Sequence, residues 1–472
     1  MNKSLYILFA ILLLYINSAN AQQVWKLEDC VKKAVQENFR MKQAQLNTQS
    51  NVLDVNQARA QMLPSINGSG TQAFNLGRNV DPFTNTFSNQ TIRSNNFSLQ
   101  ANWTLFNGFQ VQNTIKRENF DLQAWQADEK TAKNDIALQV AGQYLQILMN
   151  RELVFTSGKQ LELSQLQASR LQKLLDAGKI SEGEYLQQLS QVANDELSLV
   201  NAKSNLQMSY LLLWQSMNME SDTANSIESP LALIPMRATA RNPKEIFDAI
   251  YQNRPEIQSA TFKYRLAQTQ QKISEGTRMP RLNLFGNISS LYSSTRKDIT
   301  GFNFNGYNII GITQSTFDTV VTPKFDYVTK TTPFNKQLQN NFGQNFGLSL
   351  TVPIFNNLIA HTAVQKAKIQ ANLAQVNLDL AKQNLYKSIQ QAVIDLQVAE
   401  TKYEASQKNF TAQQKNFQVS KLRFENGSTT LTDFQLASTN YTRSESNFLQ
   451  SRYELIFRQK IIDFYMGEEL KF

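Results

Sequence analysis

The feature that most constrains this chain is a long stretch, residues 356–424, that contains no proline and no glycine. Apolar side chains recur in it every seven residues and form two columns. The first column is Val364, Ala371, Leu378, Leu385, Ala392 and Ala399, and the second is Ile389, Leu396, Tyr403, Phe410, Phe417 and Phe424. A period of seven kept over this length predicts a supercoiled helix that needs partner helices. At roughly 1.5 Å per residue the helix would be about 100 Å long, which favours a rod over a globular core.

The first 21 residues have the pattern of a secretory signal peptide. Lys3 provides the positive start, residues 5–16 are mostly apolar, and Ala19 and Ala21 form a small-residue cleavage site. We therefore expect an exported protein whose mature chain begins at Gln22. No later stretch is apolar enough to cross a bilayer as a helix, so a membrane-spanning part would have to consist of β-strands.

The composition argues against enzymatic chemistry and against nucleic-acid binding. His361 is the only histidine and Cys30 the only cysteine, so metal clusters and most nucleophile–base pairs lack their usual members. We predict no catalytic residue, no metal site and no cofactor, and we expect Cys30 to pack on a helix face. The net charge is +9, but the basic residues are scattered, which indicates solvation rather than a nucleic-acid partner.

The chain contains two copies of one structural plan, residues 22–217 and 243–472, joined by a linker at 218–242. Each copy has helices, two strands, a long helix, a glycine turn and a returning helix. The predicted strands are 65–76, 94–106, 281–292 and 342–354, the long helices are 107–177 and 356–424, and the returning helices are 182–217 and 431–466. Corresponding residues of the long helices, and Gly178 and Gly427 after them, are 249 positions apart. The equal lengths suggest that both helices must reach one plane.

The clearer strands alternate between apolar and polar residues. Phe97, Leu99, Ala101, Trp103 and Leu105 alternate with small or polar residues, as do Phe346, Leu348, Leu350, Val352 and Ile354. This pattern is typical of a barrel with lipid outside and water inside, and it also fits the edge of a β-sandwich. Residues 293–341 form a long insert between the second pair of strands, either a pore plug or a surface cover.

Four strands cannot close a barrel, since about eight are needed merely to enclose packed side chains. Open strand edges in lipid would leave backbone groups without partners, at several kcal/mol each. We therefore expect the chain to associate with copies of itself, so that a ring of chains closes both the strands and the long helices.

This order of parts resembles the TolC-like outer-membrane efflux channels over essentially the whole mature chain. The local signatures are Leu63-Pro64-Ser65, Leu105-Phe106-Asn107-Gly108, Gly178 and Gly427, and their duplication carries the resemblance. The resemblance implies a mainly α-helical protein with β-strands, a coiled-coil α-helical barrel in the periplasm, and four transmembrane strands per chain. It further implies a homotrimer that closes a twelve-stranded β-barrel in the outer-membrane lipid of a Gram-negative bacterium.

The resemblance also implies a function and partners. A periplasmic adaptor protein and an inner-membrane pump, of the RND or the ABC type, would drive export through a passive conduit for drugs, metal ions or proteins. The alternative is a secreted coiled-coil adhesin or structural trimer, although an adhesin has no reason to duplicate strands and helix within one chain. The transported substrate stays open.

Two acidic residues are candidates for a periplasmic gate, Glu184 and Asp433. The alternative is that Ser181 with Glu184, and Thr430 with Asp433, are helix capping boxes. The gate is an interpretation that rests on the family resemblance. The chain departs from the family pattern at two positions, because it has Leu436 and Thr429 where other gate residues would stand. We expect adaptor docking at the tips, Ala177, Gly178, Lys179, Ile180, Asn426, Gly427, Ser428 and Thr429. The alternative is that the two glycines are there only for the backbone freedom that the turns require. The candidates for the membrane interface are Trp103, Phe106, Tyr292 and Phe355, and packing at the strand–helix junction is the alternative for the two phenylalanines.

Overall fold

The computed structural model describes residues 24–80, 85–220, 226–228 and 242–468. The predicted signal peptide and most of the predicted linker lie outside the described residues. Among the described residues, no helix combines the length and the apolar composition needed to cross a membrane.

Helices dominate the described chain. The helices are α1 (Leu27–Glu37), α2 (Phe39–Ala60), α3 (Gln110–Asp176), α4 (Glu182–Ser216), α5 (Pro243–Ile250), α6 (Pro255–Gly276), α7 (Phe334–Asn340), α8 (Ile359–Glu425) and α9 (Leu431–Tyr465). The strands are β1 (Val24–Trp25), β2 (Ser65–Asn75), β3 (Asn79–Val80), β4 (Phe87–Ser88), β5 (Ile92–Phe106), β6 (Ser226–Ile227), β7 (Arg281–Ser293), β8 (Lys297–Ile312), β9 (Thr319–Thr331) and β10 (Gly343–Thr351).

The long helices reproduce the duplication seen in the sequence. Helices α3 and α8 each have 67 residues, and the returning helices α4 and α9 each have 35. The first residues of α3 and α8 are 249 positions apart, and so are their last residues; the same holds for α4 and α9. Gly178 and Gly427 are related by the same shift. The chain divides into two compact units, and each unit contains parts of both copies.

The first unit comprises Met1–Val52, Phe120–Arg265 and Asn372–Phe472. One apolar core in it joins α1, α3 and α4 around Tyr144 and Trp214, and a second joins α5, α6, α8 and α9 around Ile389 and Ile462. As the sequence predicts, Cys30 packs on a helix face in the first core, where burial raises the pKa of its thiol to about 12.

The second unit comprises Leu53–Asn119 and Leu266–Ala371 and contains a four-stranded antiparallel sheet in the order β10-β7-β5-β2. The chain passes from sheet to helix at Gly108, where φ is +68°. A Cβ atom at this position would lie 2.4 Å from the carbonyl oxygen of Gly276, at the end of α6. Only glycine combines this left-handed conformation with so close an approach, which explains the Asn107-Gly108 signature.

The structure differs from the sequence prediction in the insert at 293–341. This segment is not an irregular loop, because β8 and β9 pair as a long hairpin and α7 follows them. The predicted strand at 342–354 is also shorter in the structure, since β10 ends at Thr351. Pro353 has no N–H group to donate to a sheet ladder, which is consistent with the early end.

Candidate functional site

The four-stranded sheet has one face built from amide and hydroxyl side chains. Its strand register places Asn67, Gln100, Asn287 and Asn345 in one row across all four strands. The neighbouring rows contain Ser69, Ser98 and Ser289 on one side and Ser65, Asn102 and Phe285 on the other. The hydroxyl oxygens of Ser69 and Ser98 lie 2.7 Å apart. These three rows carry no charged side chain, and the one charged residue on this face of β7 is Arg281, which pairs with Thr351 at the end of the sheet.

The opposite face of the same sheet is apolar. Its rows contain Ile66, Ala101 and Phe346, then Leu99 and Ile288, then Trp103, Leu284 and Leu348. Phe346 is 83% exposed and Leu348 is 64% exposed. Such a two-sided sheet fits a membrane-spanning wall with lipid on one side and water on the other. The two edge strands, β2 and β10, have no strand partner on their outer sides in this sheet.

The two tips in the first unit, residues 176–181 and 425–430, share one turn geometry. Gly178 and Gly427 have φ values of +70° and +71°. After each glycine the next backbone N–H reaches back into the long helix, from Lys179 to Leu174 O at 2.9 Å and from Ser428 to Arg423 O at 2.8 Å. These bonds form the glycine C-cap that the sequence predicts. The predicted docking residues are exposed there, except that Ile180 and Thr429 are half-buried.

Both gate candidates stand in the first turn of a returning helix. Ser181 Oγ accepts a hydrogen bond from the Glu184 N–H at 3.3 Å, and Thr430 Oγ1 accepts one from the Asp433 N–H at 3.2 Å. The Thr430 hydroxyl also donates to Asp433 Oδ2 at 2.7 Å. The hydroxyl caps are therefore present, and both carboxyl side chains remain exposed. A gating role for the two carboxylates stays a prediction.

Glutamine and serine side chains that are buried or half-buried join the two helix pairs close to the tips, and no sequence pattern predicts them. Gln160 on α3 donates to Ser438 Oγ on α9 at 3.1 Å, and Gln435 on α9 donates to Gln188 Oε1 on α4 at 3.0 Å. Gln160 also donates to Asp195 at 3.3 Å, and burial raises the pKa of that carboxyl group. Glutamine in a heptad pattern looks like a solvent-facing residue, so the pattern contains no signal for this network.

An aromatic ladder connects α8 and α9 in the second helix pair. The rings alternate between the helices in the order Tyr403, Phe448, Phe410, Tyr441, Phe417, Phe434 and Phe424. Neighbouring ring centroids are 4.9 to 5.9 Å apart. The matching positions of the first pair, 249 residues earlier, carry Val154, Leu199, Leu161, Val192, Ala168, Tyr185 and Leu175. The two helix pairs therefore have the same length but different seams.

The four aromatic candidates for the membrane interface have different environments. Trp103 is 40% exposed and donates from Nε1 to Met62 O at 2.8 Å, and Phe355 is 77% exposed. Phe106 is half-buried. Tyr292 is buried against Phe334, with ring centroids 5.2 Å apart. An interfacial role stays a prediction for all four residues, and the burial of Tyr292 favours packing.

No cluster of histidine, cysteine and acidic side chains suited to a metal ion occurs within the described ranges. His361 lies beside Arg278, with Nδ1 3.4 Å from Nη2, near the start of α8.

Comparison with solved structures gives the same architecture. The crystal structure of CusC, described for its folding and transmembrane channel formation, has a TM-score of 0.73 at 15% identity, covering 94% of this chain and 92% of that one. The outer membrane protein VceC of Vibrio cholerae has a TM-score of 0.72 at 14% identity, covering 93% and 96%. The outer membrane channel CmeC of Campylobacter jejuni has a TM-score of 0.73 at 15% identity, covering 93% and 85%. At this identity the likeness establishes the fold.

Sequence comparison establishes the family. None of the curated proteins compared with this chain by sequence is a match. A family model described as outer membrane efflux protein matches residues 30–218 and 247–468, which is most of the chain. The predicted resemblance is thus confirmed, together with the outer-membrane location. The chain belongs to the outer membrane efflux protein family, and its role is that of an outer-membrane efflux channel.

Proposed function

We propose that three copies of this chain close one conduit across the outer membrane and that periplasmic and inner-membrane partners drive export through it. The observation that carries this proposal is the four-stranded sheet, which has an apolar face, a polar face and two free edges. Three such sheets, joined edge to edge, supply the twelve strands of a closed barrel.

Edge pairing between copies follows from the cost of an open edge in lipid. Strand β2 has 11 residues and β10 has nine, and about half of the backbone groups of an edge strand point outward. Each unpaired group costs several kcal/mol in hydrocarbon. Pairing β10 of one copy with β2 of the next removes this cost at every border in the ring.

The sheet surfaces then assign inside and outside. The row of Asn67, Gln100, Asn287 and Asn345 would repeat three times around the bore, as a ring of amides. Leu348 and its apolar neighbours would face lipid. A bore lined with amides and hydroxyls carries hydrated solutes passively, and it supports no covalent chemistry. Export therefore needs an energy source elsewhere, which is the role of the pump.

The tips are the proposed contact with the rest of the machinery. The exposed turns at Gly178 and Gly427 would dock a periplasmic adaptor, because the region around each glycine is open, and a Cβ atom at either one would meet nothing within 4 Å. The adaptor would connect the conduit to an inner-membrane pump of the RND or ABC type. Glu184 and Asp433, exposed at the same tips, would supply rings of negative charge that favour cations at the periplasmic end.

The test is the mass and the conductance of the purified protein. Native mass spectrometry in detergent should give three chains, and the same sample should form discrete channels in a planar bilayer. A monomer, or a trimer that never conducts ions even after the tips are removed, would contradict the proposal. The second outcome is the one expected of an adhesin.

A further inference from the structure

The insert hairpin, β8 and β9 with their connecting turn (Lys297–Thr331), has two unlike faces. The alternation of β9 and the pairing with β8 place nine large apolar side chains on one face, and each of them is at least 39% exposed. They are Ile299, Phe302, Phe304, Tyr307, Ile309, Ile312, Val321, Phe325 and Tyr327. The pairs on the other face include Asp298 with Lys330, Asn303 with Asp326, and Asn308 with Thr322, and its apolar members are Val320 and Val328, each opposite a glycine. The apolar face of the hairpin therefore has to be shielded from water, whereas the charged side chains on the other face need water.

Three bulges keep the apolar residues on one side. The register of β8 against β9 shifts at Gly301, around Gly306 and at Gly311, and β8 uses 16 residues where β9 uses 13. Without these three extra residues the side chains of β8 would change face along the ladder. Bulges that contain glycine also bend and coil a strand pair. The hairpin is thus a curved ribbon with a consistent apolar face.

The base of the insert hairpin is firmly held. The buried side chain of Gln337 on α7 accepts a hydrogen bond from Ser293 N and donates to Ser293 O, both at 3.0 Å, and donates to Thr332 O at 2.9 Å. One amide therefore binds both the last residue of β7 and the residue after the insert hairpin. Lys336 adds an ion pair with Asp298 at 2.9 Å. A base fixed in this way gives the ribbon a defined direction.

Lipid is a poor cover for the apolar face. The opposite face carries Lys324, Asp326 and Lys330, which need water. The preceding strand, β7, already has 13 residues, more than the roughly 9–11 that a tilted strand needs to cross the hydrocarbon. The ribbon therefore begins where the membrane-crossing part ends.

The position of the hairpin in the chain indicates what covers it. The insert leaves β7 and returns into β10, the edge strand that pairs with a second copy in the proposed trimer. Each hairpin thus stands next to a border between copies. The nine exposed apolar side chains form a contiguous patch. Most soluble monomers do not leave so large an apolar patch uncovered.

We propose that the three insert hairpins of a trimer pack apolar face against apolar face around the trimer axis and form a cap over the outer end of the conduit. This inference rests on the proposed function, because it needs three copies. The polar faces then point outward to water, and the free edges of neighbouring ribbons come within pairing distance. The cap restricts the exit of the channel.

Cysteine substitution tests the cap, since Cys30 is buried with a raised thiol pKa and stays unreactive. Ile309→Cys places a thiol on the apolar face, and Asn308→Cys, its neighbour in sequence, places one on the polar face. In intact cells a membrane-impermeant maleimide should label Asn308→Cys at least tenfold faster than Ile309→Cys. A short bismaleimide or mild oxidation should join copies of Ile309→Cys and leave Asn308→Cys as single chains.

Three outcomes separate the possibilities. If the protein is trimeric, both cysteines are labelled equally fast and no cross-link forms, the cap proposal is refuted but the proposed conduit is not. Protection of Ile309→Cys without any cross-link would mean that lipid or another surface covers the face, which also overturns the cap. If native mass spectrometry finds no trimer of the unmodified protein, the proposed function itself fails. Replacing 297–331 with a short glycine–serine linker should raise the single-channel conductance, and an unchanged conductance would contradict a cap.

Discussion

Lysine substitution at two neighbouring residues of β10 tests which face of the sheet contacts lipid and which contacts water. Leu348 is 64% exposed on the apolar face of the sheet, near the middle of the strand, and Ser349 lies on the polar face beside Asn283. A lysine that faces the bilayer midplane costs about 2–4 kcal/mol in a transmembrane barrel. Leu348→Lys introduces three such residues per trimer, so the total cost is about 6–12 kcal/mol. This is comparable to the whole stability of many folded proteins.

We expect Leu348→Lys to abolish or strongly reduce the trimer recovered from the outer-membrane fraction. Ser349→Lys is the matched control, because it adds the same side chain one residue away. It should insert normally, and its three positive charges in the bore should shift the reversal potential in a salt gradient toward anions. Urea titration in lipid vesicles measures the difference in stability. Normal insertion of Leu348→Lys together with failure of Ser349→Lys would show that the two faces have been assigned the wrong way round.

Three further predictions concern the first unit. Asp433→Asn should lower the cation selectivity of single channels, and an unchanged reversal potential would remove Asp433 from the gate. Gly427→Trp should abolish resistance to a drug exported by this system while trimers persist, whereas Gly427→Asn, which tolerates a positive φ and adds little bulk, should retain resistance. Equal resistance in both variants would refute docking at this tip. Phe410→Leu removes the ring pairs with Tyr441 and Phe448, each worth about 0.5–1.5 kcal/mol, and should speed hydrogen exchange around these two residues by roughly tenfold. Unchanged exchange would mean that the ladder adds no local stability.

The helical parts of the fold were readable from the sequence for clear physical reasons. A heptad pattern without proline extends until a glycine permits the left-handed turn, so both ends of α3 and α8 lie within a few residues of the predicted bounds. The duplication strengthened each prediction, because a weak signal in one copy was repeated 249 residues later. The alternating strands were readable because one face needs lipid and the other needs water.

The insert hairpin was not recognised, although its aromatic residues alternate over short stretches. The bulges at Gly301, Gly306 and Gly311 break the period of two, so no long alternating run remains in the sequence. The contacts near the tips were hidden for a different reason. Gln160 and Gln435 occupy positions that look solvent-exposed, and only the packing of the helix pairs reveals that their amides find partners. Long-range pairing of polar side chains has no periodic signature in one sequence.

The capping residues show where sequence reasoning reaches its limit at the candidate gate. The Thr430 and Ser181 hydroxyl caps follow from local spacing, and the structure contains both. Whether the exposed carboxylates also control passage depends on where the neighbouring copies place their own. The gate is therefore a property of the assembly, and a single-chain pattern cannot specify it.

A density map of the protein in lipid nanodiscs, determined by electron cryo-microscopy without imposed symmetry, examines the sheet borders themselves. We predict three chains, twelve strands around one bore, and β10 of each chain hydrogen-bonded to β2 of its neighbour, with Leu348 toward lipid and Ser349 toward the bore. A single chain with both edge strands unpaired, or a closed ring in which Leu348 points into the bore, would contradict the account.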